Sequence, residues 1–133
     1  MKKISPNHLC PCGSTVKYKK CCSKYHNGAL APTALLLMKS RYSAYAVGKS
    51  DYVMKTTHFH NSDFSDKTQE WKKSIDEFSF YTEFLALEIL ESIEGEEESF
   101  VTFKAKLSTG EMIEKSRFLK LGGAWLYEGV IEE

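Results

Sequence analysis

Two hydrophobic periods divide the chain after Thr33. Leu35, Met38, Tyr42 and Tyr45 recur at spacings of three, four and three, which puts them on one face of a helix. Thr33 is a good N-cap for it, Gly48 ends it, and Lys39 and Ser43 fall away from the apolar face. Ser50 is placed to cap a second, shorter helix from Asp51 to about Thr57, and His58 to Asn61 follow as loop. Asp66 and Gln69 have the spacing of a capping box, which predicts a third helix with Trp71, Ile75 and Phe78 turned inward. From Ser79 the period shortens towards two. Tyr81 to Ile93 reads as a long strand whose apolar set changes face near Ala86, the mark of a bulge. Gly95 turns the chain, and Val101, Phe103, Ala105 and Leu107 then alternate with Thr102, Lys104 and Lys106. Turns at Thr109-Gly110 and Gly122-Gly123 leave Met112–Leu119 and Ala124–Ile131 as the last two strands of an antiparallel meander. Three helices followed by four such strands form an α+β pattern, with the helices packed on one face of a curved sheet.

Composition narrows this picture. The chain has 133 residues, 42% hydrophobic and 13% aromatic, which suits one compact domain with a small appendage and excludes global disorder. Its most apolar run, Gly28 to Met38, is broken by Pro32 and is far shorter than a membrane span. Met1-Lys2-Lys3 is basic, but Ile4 to His8 is no apolar segment, so no export signal is read and a soluble, cytoplasmic protein is expected. Net charge is zero, yet unevenly spread. Residues 1–60 carry ten Lys and Arg against Asp51 alone, whereas residues 61–133 carry eight against seventeen acids. That asymmetry suggests either a basic face near the amino end or two halves that attract each other across the fold.

Cys10, Cys12, Cys21 and Cys22 are the only cysteines, all within thirteen residues. A bridge between the neighbours Cys21 and Cys22 departs from ordinary disulfide geometry, and crossed pairs need an oxidising compartment. Reduced thiols packed this closely read as a metal site, and one structural zinc suits four soft thiolates. Gly13 allows the tight Cys10-x-Cys12 turn, and Ser14 can cap a short helical turn, Thr15 to Lys20, that returns Cys21 and Cys22 to the ion. Lys17, Lys19, Lys20 and Lys24 lie around these thiols and favour their thiolate forms. Four protein ligands leave no open position, which argues against zinc-dependent hydrolysis. His8 and His26 are spare ligands or, more simply, solvated loop histidines; His26 in place of Cys22 would still close the site. The expected division is a knuckle over residues 1–27, with a loose tail over 1–9, and an α+β unit over 28–133.

Cys10-Pro11-Cys12-Gly13-Ser14 and Tyr18-Lys19-Lys20-Cys21-Cys22 resemble the SEC-C zinc motif, named for the C-terminal tail of the SecA preprotein translocase. The ligand spacing is that of the motif, and Thr15-Val16 departs from it. Ala31-Pro32-Thr33-Ala34, Leu37 to Tyr45, Tyr52, Thr56, His58, Glu114-x-Ser116-x-Phe118 and Gly123-x-Trp125-x-Tyr127-x-Gly129 are similar to the signature of the YchJ-like family of bacterial proteins. Departures fall at Leu35, Lys39, Thr57 and Phe59. The resemblance implies a cystatin-like, nuclear transport factor 2-like roll, a cone of helices over a bent sheet.

Rolls of this shape often enclose a pocket, and Arg41, His58, Glu114, Ser116, Trp125 and Tyr127 are its candidate residues. Arg41 is expected in a surface ion pair, and Trp125 and Tyr127 in the core, before either lines a ligand site. No catalytic residue is assigned. Three functional classes stay open. In the first, the basic zinc knuckle contacts a protein partner, as the SEC-C resemblance implies. In the second, the roll binds a small molecule or acts on one. In the third, the lysine-rich knuckle binds RNA or the ribosome, with Tyr18 and Tyr25 as stacking platforms. A homodimer through the exposed sheet is compatible with the fold.

Overall fold

The computed structural model describes residues 4–131 of the chain. Its amino-terminal segment makes a 3-10 turn, Tyr18–Lys20, and a one-turn helix, α1 (Ser23–His26). Helices α2 (Ala34–Val47), α3 (Ser50–Lys55) and α4 (Thr68–Tyr81) follow, then strands β1 (Phe84–Ile93), β2 (Glu98–Leu107), β3 (Gly110–Leu121) and β4 (Ala124–Val130). No helix among the described residues is long and apolar enough to cross a membrane.

Helix α2 starts and stops as its sequence dictates. The Thr33 hydroxyl accepts the Leu36 N–H, and Gly48, at φ 80°, adopts the left-handed conformation and returns its own N–H to Ala44. Its burial is less orthodox. Ser40, Arg41, Ser43 and Ala44 are buried together with Leu37, Met38 and Tyr42, so the helix is enclosed almost all round. The apolar period finds only the sheet-facing side, and Ser43 does not face solvent as the pattern predicts.

The sheet is a meander in the order β1-β2-β3-β4, all antiparallel. The expected bulge is present in β1, between Phe84 and Ala86, and a second lies between Ile89 and Glu91. Val101, Phe103, Ala105 and Leu107 point inward as their alternation requires, joined by Phe118 and Trp125 against α2. After α3 the backbone pairs with β4: Tyr127 donates to the Thr56 carbonyl at 2.9 Å and His58 to the Tyr127 carbonyl at 2.8 Å.

Three local expectations fail. The capping box does not form, because α4 begins at Thr68 with Lys67 as its uncapped N-cap. Helix α4 also runs on to Tyr81, through residues whose aromatic character reads as strand, and Phe78 is 44% exposed rather than inward. Ser50 is the first residue of α3, not its cap; its hydroxyl instead accepts a hydrogen bond from Lys72 and ties α3 to α4.

The part of the expected loose tail within the described residues, from Ile4 on, is not loose, and its residues 1–3 lie outside the described residues. Ile4 packs on the cysteines, the Tyr18 N–H bonds the His8 carbonyl, and Tyr25 is part of the main core. His8 is exposed as expected, but His26 is neither solvated nor turned to the sulfurs. Its Nε2 lies 2.8 Å from the Ser40 carbonyl, which can only accept, so the proton is on Nε2 and Nδ1 accepts the Tyr18 hydroxyl at 2.6 Å. The ring also packs at 4.8 Å from that of Tyr52. His26 therefore bolts the knuckle to α2.

Two outcomes follow from this packing. Phe118 is 1% exposed at the centre of the sheet, so Phe118→Ala should cost about 3–5 kcal/mol in chemical denaturation. Burial holds the His26 imidazole below its ordinary pKa of 6.5. The unfolded chain then takes up this proton first as pH falls, so the stability His26 contributes is complete above about 6.5 and declines below it. His26→Gln should cost about 1–2 kcal/mol near pH 8, and the gap in melting temperature from the native chain should narrow towards about pH 5. A gap that is constant with pH would show that the ring is not docked in its neutral form.

Candidate metal centre and roll cavity

The cysteine loop is built by backbone. Leu9 and Lys17 form an antiparallel bridge, and the Cys10 N–H bonds the Val16 carbonyl at 2.8 Å, closing a hairpin around Pro11 to Thr15. Gly13, at φ 85°, lets its N–H reach the Cys10 carbonyl; a Cβ there would lie 3.4 Å from the Leu87 carbonyl of β1. The expected helical turn is only Tyr18–Lys20, and Ser14 does not cap it. Its hydroxyl lies 3.1 Å from the Cys21 sulfur instead and also accepts the Val16 N–H.

All four sulfurs lie within 4.8 Å of one another, and none is bridged. Cys10, Cys12 and Cys22 are buried, with Val47 of α2 packed against them. Cys12 accepts hydrogen bonds from the thiols of Cys10 and Cys22, which holds it well below the usual thiol range. As the donors, and through burial, Cys10 is pushed up to about 11 and Cys22 is raised further. A cation could hold the cysteines as thiolates together, so the group could hold a metal ion.

The second site is the open end of the roll. A cavity of about 230 Å³ is lined by α2 and the inner faces of β2 to β4, and it adjoins another of about 550 Å³ between α2 and α4; Arg41, Tyr45, Asp63, Phe78 and Tyr127 line both. Arg41 is buried, not in a surface ion pair. Its Nη1 donates to the Val53 carbonyl at 2.9 Å and to the hydroxyls of Thr56 and Thr57 at 2.8 and 3.1 Å. The guanidinium carbon lies 4.7 Å from the Tyr127 ring centre. On β3, Glu114, Ser116 and Phe118 share the inner face, and Glu114 Oε2 accepts hydrogen bonds from the hydroxyls of Ser116 and, at 3.0 Å, Tyr127. Burial, then the Glu114 charge, raises the Tyr127 phenol far above its ordinary range.

Four of the six predicted pocket residues thus come together: Arg41, Glu114, Ser116 and Tyr127. His58 and Trp125 do not. His58 is buried beside β4, whose Tyr127 carbonyl its backbone bonds, with its Nδ1 accepting the His60 N–H at 3.0 Å and its ring stacked on Phe59. Trp125 is packed into the core beside a separate small cleft of about 60 Å³ near Ala29 and Leu30. Asp63, Phe78 and Met112 at the cavity were not anticipated. The signal for Arg41 was there, since Leu37, Arg41 and Tyr45 follow one another at i, i+4.

The family model described as YchJ, middle NTF2-like domain, matches residues 33–129, and that of the SEC-C motif matches residues 7–24. A UPF0225 protein of Streptomyces coelicolor is 37% identical over 126 residues, covering 92% of this chain and 94% of its own. Another from Serratia proteamaculans is 41% identical over 128 residues, or 90% of this chain and 80% of its own. Among solved structures, a SEC-C motif containing protein from Psychrobacter arcticus matches with a TM-score of 0.77 at 27% identity, over 96% of this chain and 85% of the other.

Proposed function

The chain belongs to the YchJ family, an NTF2-like domain with a SEC-C motif ahead of it, and from that premise we propose that it holds one structural zinc ion and uses the zinc knuckle to dock an acidic protein segment. The observation that carries this is the convergence of four thiols within 4.8 Å, two on a backbone-closed hairpin and two just after the Tyr18–Lys20 turn that follows it. Zinc suits such a set because it takes four soft thiolates and makes no geometric demand of its own. With every position filled by protein, the ion organises the loop and offers no site for hydrolysis. Lys17, Lys19, Lys20 and Lys24 are all exposed, and Leu9 and Val16 on the same hairpin are 60% and 42% exposed. A surface that is both basic and partly apolar favours an acidic peptide with interspersed apolar side chains over a bare polyanion.

Purified protein should carry one equivalent of zinc per chain by elemental analysis, and Cys12→Ser should lose it. Loss should disorder residues 4–24 and lower the melting temperature, because Tyr25 and His26 lose their anchorage, while the sheet persists by circular dichroism. Full metal content in Cys12→Ser, or none in the native chain, would overturn the zinc reading. A Lys19→Glu, Lys20→Glu double variant should reduce recovery of a copurifying protein about tenfold, with zinc content unchanged. Recovery of RNA that nuclease removes, with no protein left behind, would assign the knuckle to nucleic acid instead.

A further inference from the structure

We propose that the cavity of the roll binds a small carboxylic acid with an aromatic or similarly apolar body, its carboxylate held by Arg41 and a hydroxyl or amine at its far end accepted by Glu114. Arg41 is only 7% exposed and cannot shed its charge. Both protons of Nη1 are spent on the Val53 carbonyl and the two threonine hydroxyls. Among the described residues nothing accepts from Nε or Nη2, and no carboxylate stands within ion-pair distance. Among the described residues no fully buried side-chain nitrogen or oxygen lacks a hydrogen-bond partner, so these two nitrogens are accessible, and Arg41 lines both adjoining cavities. The Nε and Nη2 edge is a fork that matches the two oxygens of a carboxylate. A buried cation with that edge unused is costly, and the Tyr127 ring face offsets only part of the cost.

The rest of the cavity restricts what could bring the anion. Met38, Tyr42, Phe103, Leu107 and Phe118 give it apolar walls. Its volume of about 230 Å³ corresponds to roughly eight water molecules at ~30 Å³ each, which suits a ligand part of about ten non-hydrogen atoms between Arg41 and Glu114. Glu114 stands at the hydroxyl end of Tyr127, whose ring face carries Arg41. The phenol O–H and Ser116 occupy its Oε2, and no described residue donates to Oε1. A donor on the ligand would meet that oxygen. Glu114 and Asp63 would also repel a phosphate dianion, so a singly charged acid fits better than a phosphate ester. The cavity lies on the side of α2 away from the cysteines, so its test stands whether or not the knuckle holds zinc.

The full chain, titrated with small probes and followed by nitrogen-correlated NMR at the Arg41 Nε–H and the Tyr127 amide, decides the matter. 4-Hydroxybenzoate should bind saturably with a dissociation constant below about 1 mM, and benzoate about tenfold more weakly for want of the bond to Glu114. Glu114→Gln should shrink that ratio to about threefold or less, while Arg41→Lys abolishes binding of both acids. Arg41→Lys also disturbs the anchorage of α3, so the comparison of probes on the native chain is the deciding measurement if that variant does not fold. Benzylamine or phenyl phosphate binding at the same resonances in preference to the acids would overturn the proposal. So would the absence of any shift up to about 10 mM acid.

Discussion

Helix α2 can be enclosed almost all round because the polar groups on its buried faces are answered by several different neighbours. The Ser40 carbonyl takes the His26 N–H from the knuckle, and its hydroxyl meets Tyr52 of α3. Arg41 grips the end of α3, the Tyr42 hydroxyl donates to the Ala86 carbonyl at the bulge of β1, and the Tyr45 carbonyl accepts from Ser79 of α4. An orphaned buried donor or acceptor costs about 1–3 kcal/mol, a large fraction of a small domain's stability. Apolar packing alone would tolerate the knuckle or α4 in several rotations about α2. The hydrogen bonds permit one.

The same network explains which features were legible in the sequence. Strand alternation in β2, the bulge near Ala86, the Gly48 cap and the cysteine spacing each depend on a few adjacent residues, and each is present. The burial of Ser40, Arg41 and Ser43 depends on partners drawn from distant segments, and a count of apolar positions passes over them. His26 read as a loop residue because nothing near it in sequence shows that Ser40 will face it. Trp125 belonged to the same motif-like segment as Tyr127, yet Tyr127 lines the cavity while Trp125 enters the core, and His58 is buried where its backbone pairs with Tyr127 of β4. Helix α4 ran past its expected end because tertiary packing outweighed the strand propensity of Phe78, Phe80 and Tyr81: Ser79 is bonded to α2, and Phe78 meets Tyr45 edge-on.

The cysteine cluster takes part in this arrangement. Val47 packs behind the thiols, and one turn earlier on the same helix Ser43 lies 3.5 Å from the His26 ring. Order passes from the sulfurs to the Tyr18 turn, from Tyr18 to His26, and from His26 to Ser40. A crowded set of unbridged thiols is a weak organiser by itself. Any cation that gathers them as thiolates strengthens a chain of contacts already aimed at the roll.

Stability alone does not account for Arg41. Replacing a buried ion by a well-packed apolar side chain is often neutral or stabilising, and Met38, Tyr42 and Val53 around this position would accommodate one. The threonine hydroxyls that Nη1 engages do not require it either, since Thr56 also donates to the Tyr52 carbonyl and Thr57 to that of Val53. What only an arginine supplies here is a permanent charge whose second edge is left open to the cavity. The hydroxyl of the same Tyr127 is bonded to a carboxylate whose Oε1 likewise takes no donor among the described residues. A cation over the face of Tyr127 and a carboxylate at its hydroxyl, both at a cavity with apolar walls, fit a molecule carrying an anion and a donor better than they fit a core.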